Sequence, residues 1–328
     1  MKPQTKPDKR RYSYKFITAF PCLCGLLFLA FLIAVSLGSE SLSFFDLDDR
    51  QRTILFDIRL PRVLLGLATG ASLAVAGAAF QSLLRNPLAE PYLLGVSNGA
   101  ALGTMFAFIF FSRGVFARPV CAFLGASSAT FAVYKMAQSR AGMNTERLVL
   151  SGVIVTTFLS SIIVLLTTLL DATKLRSFTF WLLGDLSQAT QNSFYLAIVA
   201  AVSGTILLTA TARSLNLMML GERDAFDFGV EVGRTRLIVF ATASALVGIA
   251  VASSGSVGYV GLVVPHIVRL LIGSDNRSVI PATAFAGAIF VVLADTVART
   301  AIAPRELPVG AITALIGAPM FIYLLRKS

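Results

Sequence analysis

The chain has 328 residues, of which 56% are hydrophobic and 14% charged, with a mean hydropathy of +0.78 and a formal net charge of +11. A soluble domain carries about 45–50% apolar and 25% charged residues, so this composition excludes an ordinary water-soluble enzyme and indicates an all-α polytopic membrane protein. The positive surplus does not indicate nucleic acid, because Lys2, Lys6, Lys9, Arg10, Arg11 and Lys15 crowd an N-terminal tail where anionic membrane lipid attracts them.

A helix needs roughly 20 apolar residues to cross the hydrocarbon. Ten stretches qualify, beginning with 14–37, which is too long for a signal peptide and is expected to be a retained first helix. Cys22, Cys24 and later Cys121 lie in spans without companion metal ligands and are expected to be apolar filler. The second span, 63–84, repeats Gly66, Gly70, Ala74 and Ala78 every four residues, a pattern that lets helix backbones approach closely. Just before it, Arg59-Leu60-Pro61-Arg62 places arginines three apart at the mouth of the helix. Such guanidinium groups on an exposed face would suit bidentate capture of a partner's carboxylates; equally, they would anchor helix ends by snorkelling.

The next spans are 92–112, 117–137, 147–170 and 192–212. The longest inner connector, 213–235, follows. Leu215, Met218, Met219 and Leu220 give it one apolar face, Gly221 interrupts, and Ala225, Phe226, Phe228 and Val230 form a second amphipathic piece carrying Glu222, Asp224, Asp227 and Glu231, closed by Gly229 and Gly233. Two short helices are expected there, and their acidic charge favours a protein partner or a solvated loop over lipid. Spans 236–254, 257–272, 279–298 and 307–325 complete the set. The segment 257–272 is interrupted by Gly255, Gly258, Gly261 and Pro265 and is expected to be short or partly re-entrant. Near the end of 279–298, Asp295 and Arg299 are spaced as an i, i+4 ion pair, and the last span repeats Gly310, Ala314 and Ala318.

With ten spans, eighteen of the 28 Lys and Arg residues fall in segments on the side of the termini, which puts both termini in the cytoplasm. The whole chain, 1–328, reads as one transmembrane domain with a basic tail, 1–13. The chain has one histidine, His266, and no nucleophile, metal-ligand or nucleotide-binding motif, so no cofactor is expected and catalysis is poorly supplied. Ionisable groups are scarce inside the spans, which also argues against an ion-coupled carrier. Energy for transport would then come from a separate chain.

Five ordered runs carry a resemblance. They are RLPRVLLGLATGASLAVAGAAFQSLLRNPLAEPYLLGVSNGAALG from Arg59, WLLGDL from Trp181, LGERDAFDFGVEVGRTR from Leu220, GSVGYVGLVVPHIVRLLIGSDNRSVIPATAFAGA from Gly255, and ADTVARTAIAPRELPVGAITALIGAPMF from Ala294. Together they cover most of 59–325, and the chain resembles the FecCD or BtuC-like permease subunits of bacterial ATP-driven importers for iron-siderophore chelates, haem and cobalamin. The resemblance implies a BtuC-like bundle in the bacterial inner membrane. Its implied partners are a second permease copy, a cytoplasmic P-loop ATPase dimer and a periplasmic or lipid-anchored substrate-binding protein. By position, Arg59, Arg62 and Arg299 match the family's docking arginines, Gly221, Glu222, Ala225 and Gly229 lie in its ATPase-coupling loop, and Asn86 and Leu88 match its cytoplasmic gate. An ion-coupled secondary transporter acting without an ATPase is the alternative.

Overall fold

The structure is a computed structural model that describes residues 9–38, 48–111, 117–139, 142–143 and 145–327. Residues 1–8 of the basic tail and Arg140 lie outside the described residues. Each of the ten expected spans falls on a helix. These are α1 (Lys9–Ser36), α3 (Leu60–Leu83), α4 (Val96–Phe110), α5 (Ala117–Ala137), α6 (Thr145–Thr167), α8 (Gln191–Ala210), α11 (Val232–Ser254), α12 (Val260–Ile272), α13 (Asn276–Thr300) and α14 (Val309–Lys327). Shorter helices lie between them: α2 (Asp49–Thr53), α7 (Ala172–Leu182), α9 (Ala212–Leu220) and α10 (Glu222–Asp227). The sequence reading contained no counterpart of α2 or α7.

Among the described residues, seven helical stretches are long and apolar enough to cross a membrane, and α4, α12 and α14 contribute three shorter apolar ones. At 1.5 Å per residue the 13 residues of α12 reach about 20 Å, well short of a hydrocarbon core of about 30 Å. The chain ahead of it is unwound. Gly255 (φ +70°) and Tyr259 (φ +67°) both take the left-handed conformation that ends one helix and delays the next.

The second span is longer than the hydropathy implied. Helix runs from Asp49 through a π-helical stretch, Ile54–Arg59, directly into α3. Pro61 has no N–H to give a preceding carbonyl, and a widened turn accommodates it without ending the helix. Arg59 and Arg62 are therefore interior positions of a continuous helix rather than residues of an exposed connector.

α3 is the axis of the bundle, packed by α13, α11, α8 and α12, and 83% of its most apolar window is buried. Small residues make that possible. A Cβ on Gly70 would overlap the carbonyl of Gly287 in α13, and one on Gly77 would overlap the carbonyl of Gly261 in α12. Gly66, Gly70 and Ala74 of the four-residue stripe all face α13, Gly66 against Val292 and Ala74 against Gly287, whereas Gly77 lies off the stripe and answers a second helix. Outside this core, α6 and α8 turn Ile154, Phe158, Val164, Leu196, Val202 and Ile206 outward, as a surface against lipid tails requires.

Gly77→Ala should therefore force α3 and α12 apart and cost about 1–3 kcal/mol, read as a lower unfolding midpoint in detergent. Gly233→Ala, at an exposed helical position with no atom near its added methyl, serves as the control and should leave the midpoint unchanged or raised. Equal midpoints for the two variants would contradict the packing described.

Candidate functional site

The functional residues expected from sequence gather at the two ends of the bundle. At one end, the C-terminus of α1, the start of α3 and the C-terminus of α13 meet around three arginines. Arg62 donates from Nε to both oxygens of Asp295 (3.1 and 3.2 Å), from Nη2 to Asp295 Oδ1 (2.9 Å) and from Nη1 to Glu306 Oε2 (2.7 Å). Arg299 lies 3.0 Å from the other oxygen of Asp295 through Nε, which realises the i, i+4 pair read from the sequence. One carboxylate thus serves two cations.

The remaining donors close the end of α1. Arg59 Nη1 donates to the carbonyls of Val35 (2.9 Å) and Ser36 (3.1 Å), and Arg299 donates to those of Ala34 (3.0 Å) and Leu37 (3.3 Å). A helix leaves its last carbonyls without intrahelical partners, and cations are favoured there. All three arginines are at most 7% exposed. The exposed guanidinium face expected from sequence is corrected accordingly: these groups are inside and already engaged, and Arg62 is bonded to the exposed Glu306.

At the opposite end, α3 stops at Leu83 and the chain reverses through Arg85, a non-glycine residue at φ +49°. Asn86 braces this reversal. Its N–H donates to the Gln81 carbonyl (3.1 Å), its carbonyl accepts the N–H of Ala89 (3.1 Å), and its Oδ1 accepts the N–H of Leu88 (2.9 Å). This is asparagine acting as a turn former, and Leu88, 43% exposed, is the side chain the turn holds out.

Two short helices, α9 and α10, occupy the connector as expected, broken at Gly221. Gly229 takes φ +79° while its N–H donates to the Phe226 carbonyl and the N–H of Val230 to that of Ala225, the two hydrogen bonds of a Schellman cap. Ala225 is fully buried and Val230 nearly so, whereas Phe226 (73% exposed), Phe228 (71%) and Leu220 (72%) point away. Within the second amphipathic piece expected there, Ala225 and Val230 thus form the inner side and Phe226 and Phe228 the outer one. Glu222 is engaged within the chain, bonded to buried Arg236 and 3.6 Å from Arg85. That pair links the segment to the Asn86 turn directly.

A second link was not read from the sequence. Asn276, fully buried at the start of α13, donates through Nδ2 and its backbone N–H to Asn216 Oδ1 of α9 (2.9 and 3.0 Å). Its own Oδ1 accepts from Ser82 of α3 (2.8 Å) and Arg269 of α12 (3.0 Å). Four helices share this cluster. The helix-starting run Ser274-Asp275-Asn276 was the available signal, since Asp275 caps α13 through the N–H of Arg277.

A family model described as the FecCD transport family matches residues 25–327. The chain is 43% identical over 282 residues to the cobalamin import system permease protein BtuC of Halobacterium salinarum, covering 86% of this chain and 76% of that one. It is 38% identical over 312 residues to the hemin transport system permease protein HmuU of Yersinia pestis, covering 92% and 93%, and 37% identical over 311 residues to the vitamin B12 import system permease protein BtuC of Escherichia coli O157:H7, covering 94% of each. A solved ABC transporter described as of metal-chelate type, in an inward-facing conformation, superposes with a TM-score of 0.87 at 33% identity over 95% of this chain and 99% of its own.

Asp295→Ala would leave Arg62 and Arg299 without their shared buried counter-charge, at a cost of roughly 3–5 kcal/mol. The expected result is a large fall in the unfolding midpoint, against little change for Glu231→Ala, whose pair with Arg234 is exposed on both sides. Asn276→Ala should loosen α9, seen as faster amide exchange over 212–220 with slower change in the core of α3. Unaltered exchange there would remove the cluster as the anchor of that segment.

Proposed function

As a member of the FecCD transport family this chain is the membrane-spanning permease subunit of an ATP-driven importer, and we propose that its cargo is an iron chelate, either siderophore or haem, or cobalamin. It is a transport subunit, with ATP hydrolysed by a separate chain. In this reading two permease copies pair over a cytoplasmic P-loop ATPase dimer, and a periplasmic or lipid-anchored substrate-binding protein delivers cargo from the other side. Both termini and the Asn276 end face the cytoplasm, which the concentration of basic residues in those segments supports. The Arg62 end faces outward.

The observation that carries the reading is the segment 220–228. It presents three large apolar side chains on a polar connector and is braced to the bundle through Asn216–Asn276 and Glu222–Arg85. An exposed apolar patch of this kind suits a protein partner. A push from the ATPase on Leu220, Phe226 and Phe228 would turn α10 about Gly221. Glu222 would carry it to Arg85, and the stapled Asn86 turn would move Leu88 as one body across the inner end of the pathway. Ala225 and Gly229 keep α10 in shape for that task. At the outer end Arg59, Arg62 and Arg299 form the docking region, with Arg59 and Arg299 fixing α1 and Arg62 nearest the surface.

No observation favours the ion-coupled carrier. Asp295, the one fully buried carboxylate among the described residues, is held between two arginines and is not available to follow an ion gradient.

Purification from the native membrane in mild detergent should recover one ATPase chain per permease together with a substrate-binding protein. Phe226→Asp combined with Phe228→Asp should strip off the ATPase while the permease keeps its unfolding midpoint. A chain that purifies alone and transports in vesicles under an ion gradient without ATP would overturn the proposal.

A further inference from the structure

The connector between α3 and α4 makes a second set of contacts that the gate and ATPase roles leave unused. Beyond the Asn86 turn the chain runs extended through Glu90 and enters a short 3₁₀ turn, Pro91–Leu94. The Tyr92 hydroxyl donates to the Val257 carbonyl and accepts the Val257 N–H, both at 2.9 Å. Glu90 Oε1 accepts the N–H of Tyr259 at 3.1 Å. Three hydrogen bonds thus tie this connector to the unwound segment between α11 and α12, 165 to 169 residues away.

That segment depends on outside support. The residues between Ser254 and Val260 form no helix, so their backbone groups lack intrahelical partners. Tyr259, at φ +67°, holds a conformation that a bulky residue keeps only where its surroundings impose it. Tyr92 satisfies both polar backbone groups of Val257, and Glu90 sets a carboxylate at the positive end of α12, whose N-cap is Tyr259. Packing reinforces these bonds. A Cβ on Gly261, in the first turn of α12, would come within 2.8 Å of the Pro91 ring, and the space among these groups admits no water. Tyr259 also lies against α14, where a Cβ on Gly317 would stand 2.6 Å from its own.

We propose that Glu90 and Tyr92 are positioning residues for transport: they latch the gate turn to the break between α11 and α12, so that a displacement of Leu88 passes through Tyr259 to α14. The proposal rests on the reading of Leu88 as part of the inner gate. Only Ala89, itself buried, separates Leu88 from Glu90. A turn fixed at Asn86 on one side and bonded to Tyr259 on the other moves both ends together. The two residues act through the backbone they hold and not on the cargo.

The test uses the complete transporter in liposomes, with its ATPase and substrate-binding protein. Spin labels at Leu88→Cys or at Leu315→Cys, the latter exposed on α14, report copy-to-copy distances with and without ATP, after Cys22, Cys24 and Cys121 are replaced by serine. With the latch intact, ATP should shift both distances. Glu90→Ala with Tyr92→Phe should keep the shift at position 88 and abolish it at 315. Cargo imported per ATP hydrolysed, with cobalamin, haemin and a ferric hydroxamate supplied in turn, should fall on the order of tenfold in that variant as three hydrogen bonds are lost. Glu90→Gln alone keeps an oxygen for the Tyr259 N–H and should hold coupling within about twofold of the parent. A retained shift at 315 in the double variant would overturn the latch. So would ATP hydrolysis and uptake falling in equal proportion, which marks a merely structural role. Absence of movement at 88 in the unaltered transporter would overturn the gate reading itself, and the latch with it.

Discussion

The bundle depends on how closely α3 lets other backbones approach it. Between helices in hydrocarbon there is no hydrophobic gain to drive association, because lipid tails are as apolar as the side chains they replace, so van der Waals contact between backbones must supply it. Gly70 against Gly287 and Gly77 against Gly261 give α3 two such contacts, with two different helices, about two turns apart. The neighbouring core positions are chiefly alanine and valine, Ala74, Val75, Ala76, Ala78 and Ala79 among them, all fully buried. Large side chains at these positions would hold the axis away from its neighbours and leave the polar groups at both ends out of reach of one another.

Those polar groups are arranged differently at the two ends. At the Arg62 end they are charges. Asp295 is shared by Arg62 and Arg299, and the last carbonyls of α1 are satisfied by Arg299 together with Arg59. Such a cluster has little freedom, since moving any member strands a buried charge. At the Asn276 end the cluster is built mainly of amides and a hydroxyl, joined by Arg269 and by the Asp275 carboxylate that accepts from Asn216, and it links α9 to α3, α12 and α13. Neutral hydrogen bonds exchange partners at lower cost than buried ion pairs do. In the proposed reading that contrast suits a rigid outer end and a movable inner end, as an importer powered from one side requires.

Glycine and asparagine shape the short segments at the Asn276 end. Gly229 closes α10 with a left-handed cap, Gly221 separates it from α9, and Asn86 turns the chain after α3 using its own side chain. Each is a local device with a short range. The longer contacts, Glu222 to Arg85 and Asn216 to Asn276, join segments 137 and 60 residues apart.

Much of this was legible along the chain because its causes are local. Ten apolar stretches declare ten helices through length and hydropathy alone. The connector helices α9 and α10, the weak α12, the Asp295–Arg299 spacing and the Gly66–Ala74 stripe all follow from residues within one or two helical turns of each other. The long family-like runs carried the functional class, since they record the whole arrangement at once. The tertiary structure alone decided exposure. Arg59, Arg62 and Arg299 look like surface charges until the end of α1 folds over them, Ala225 is buried beside an exposed Phe226 on the same short helix, and Gly77 lies off its own helix's stripe because its partner belongs to another helix. In each case the deciding atoms belong to segments far away in sequence, and periodicity, which reports only what shares a helix face, carries no record of what that face will meet.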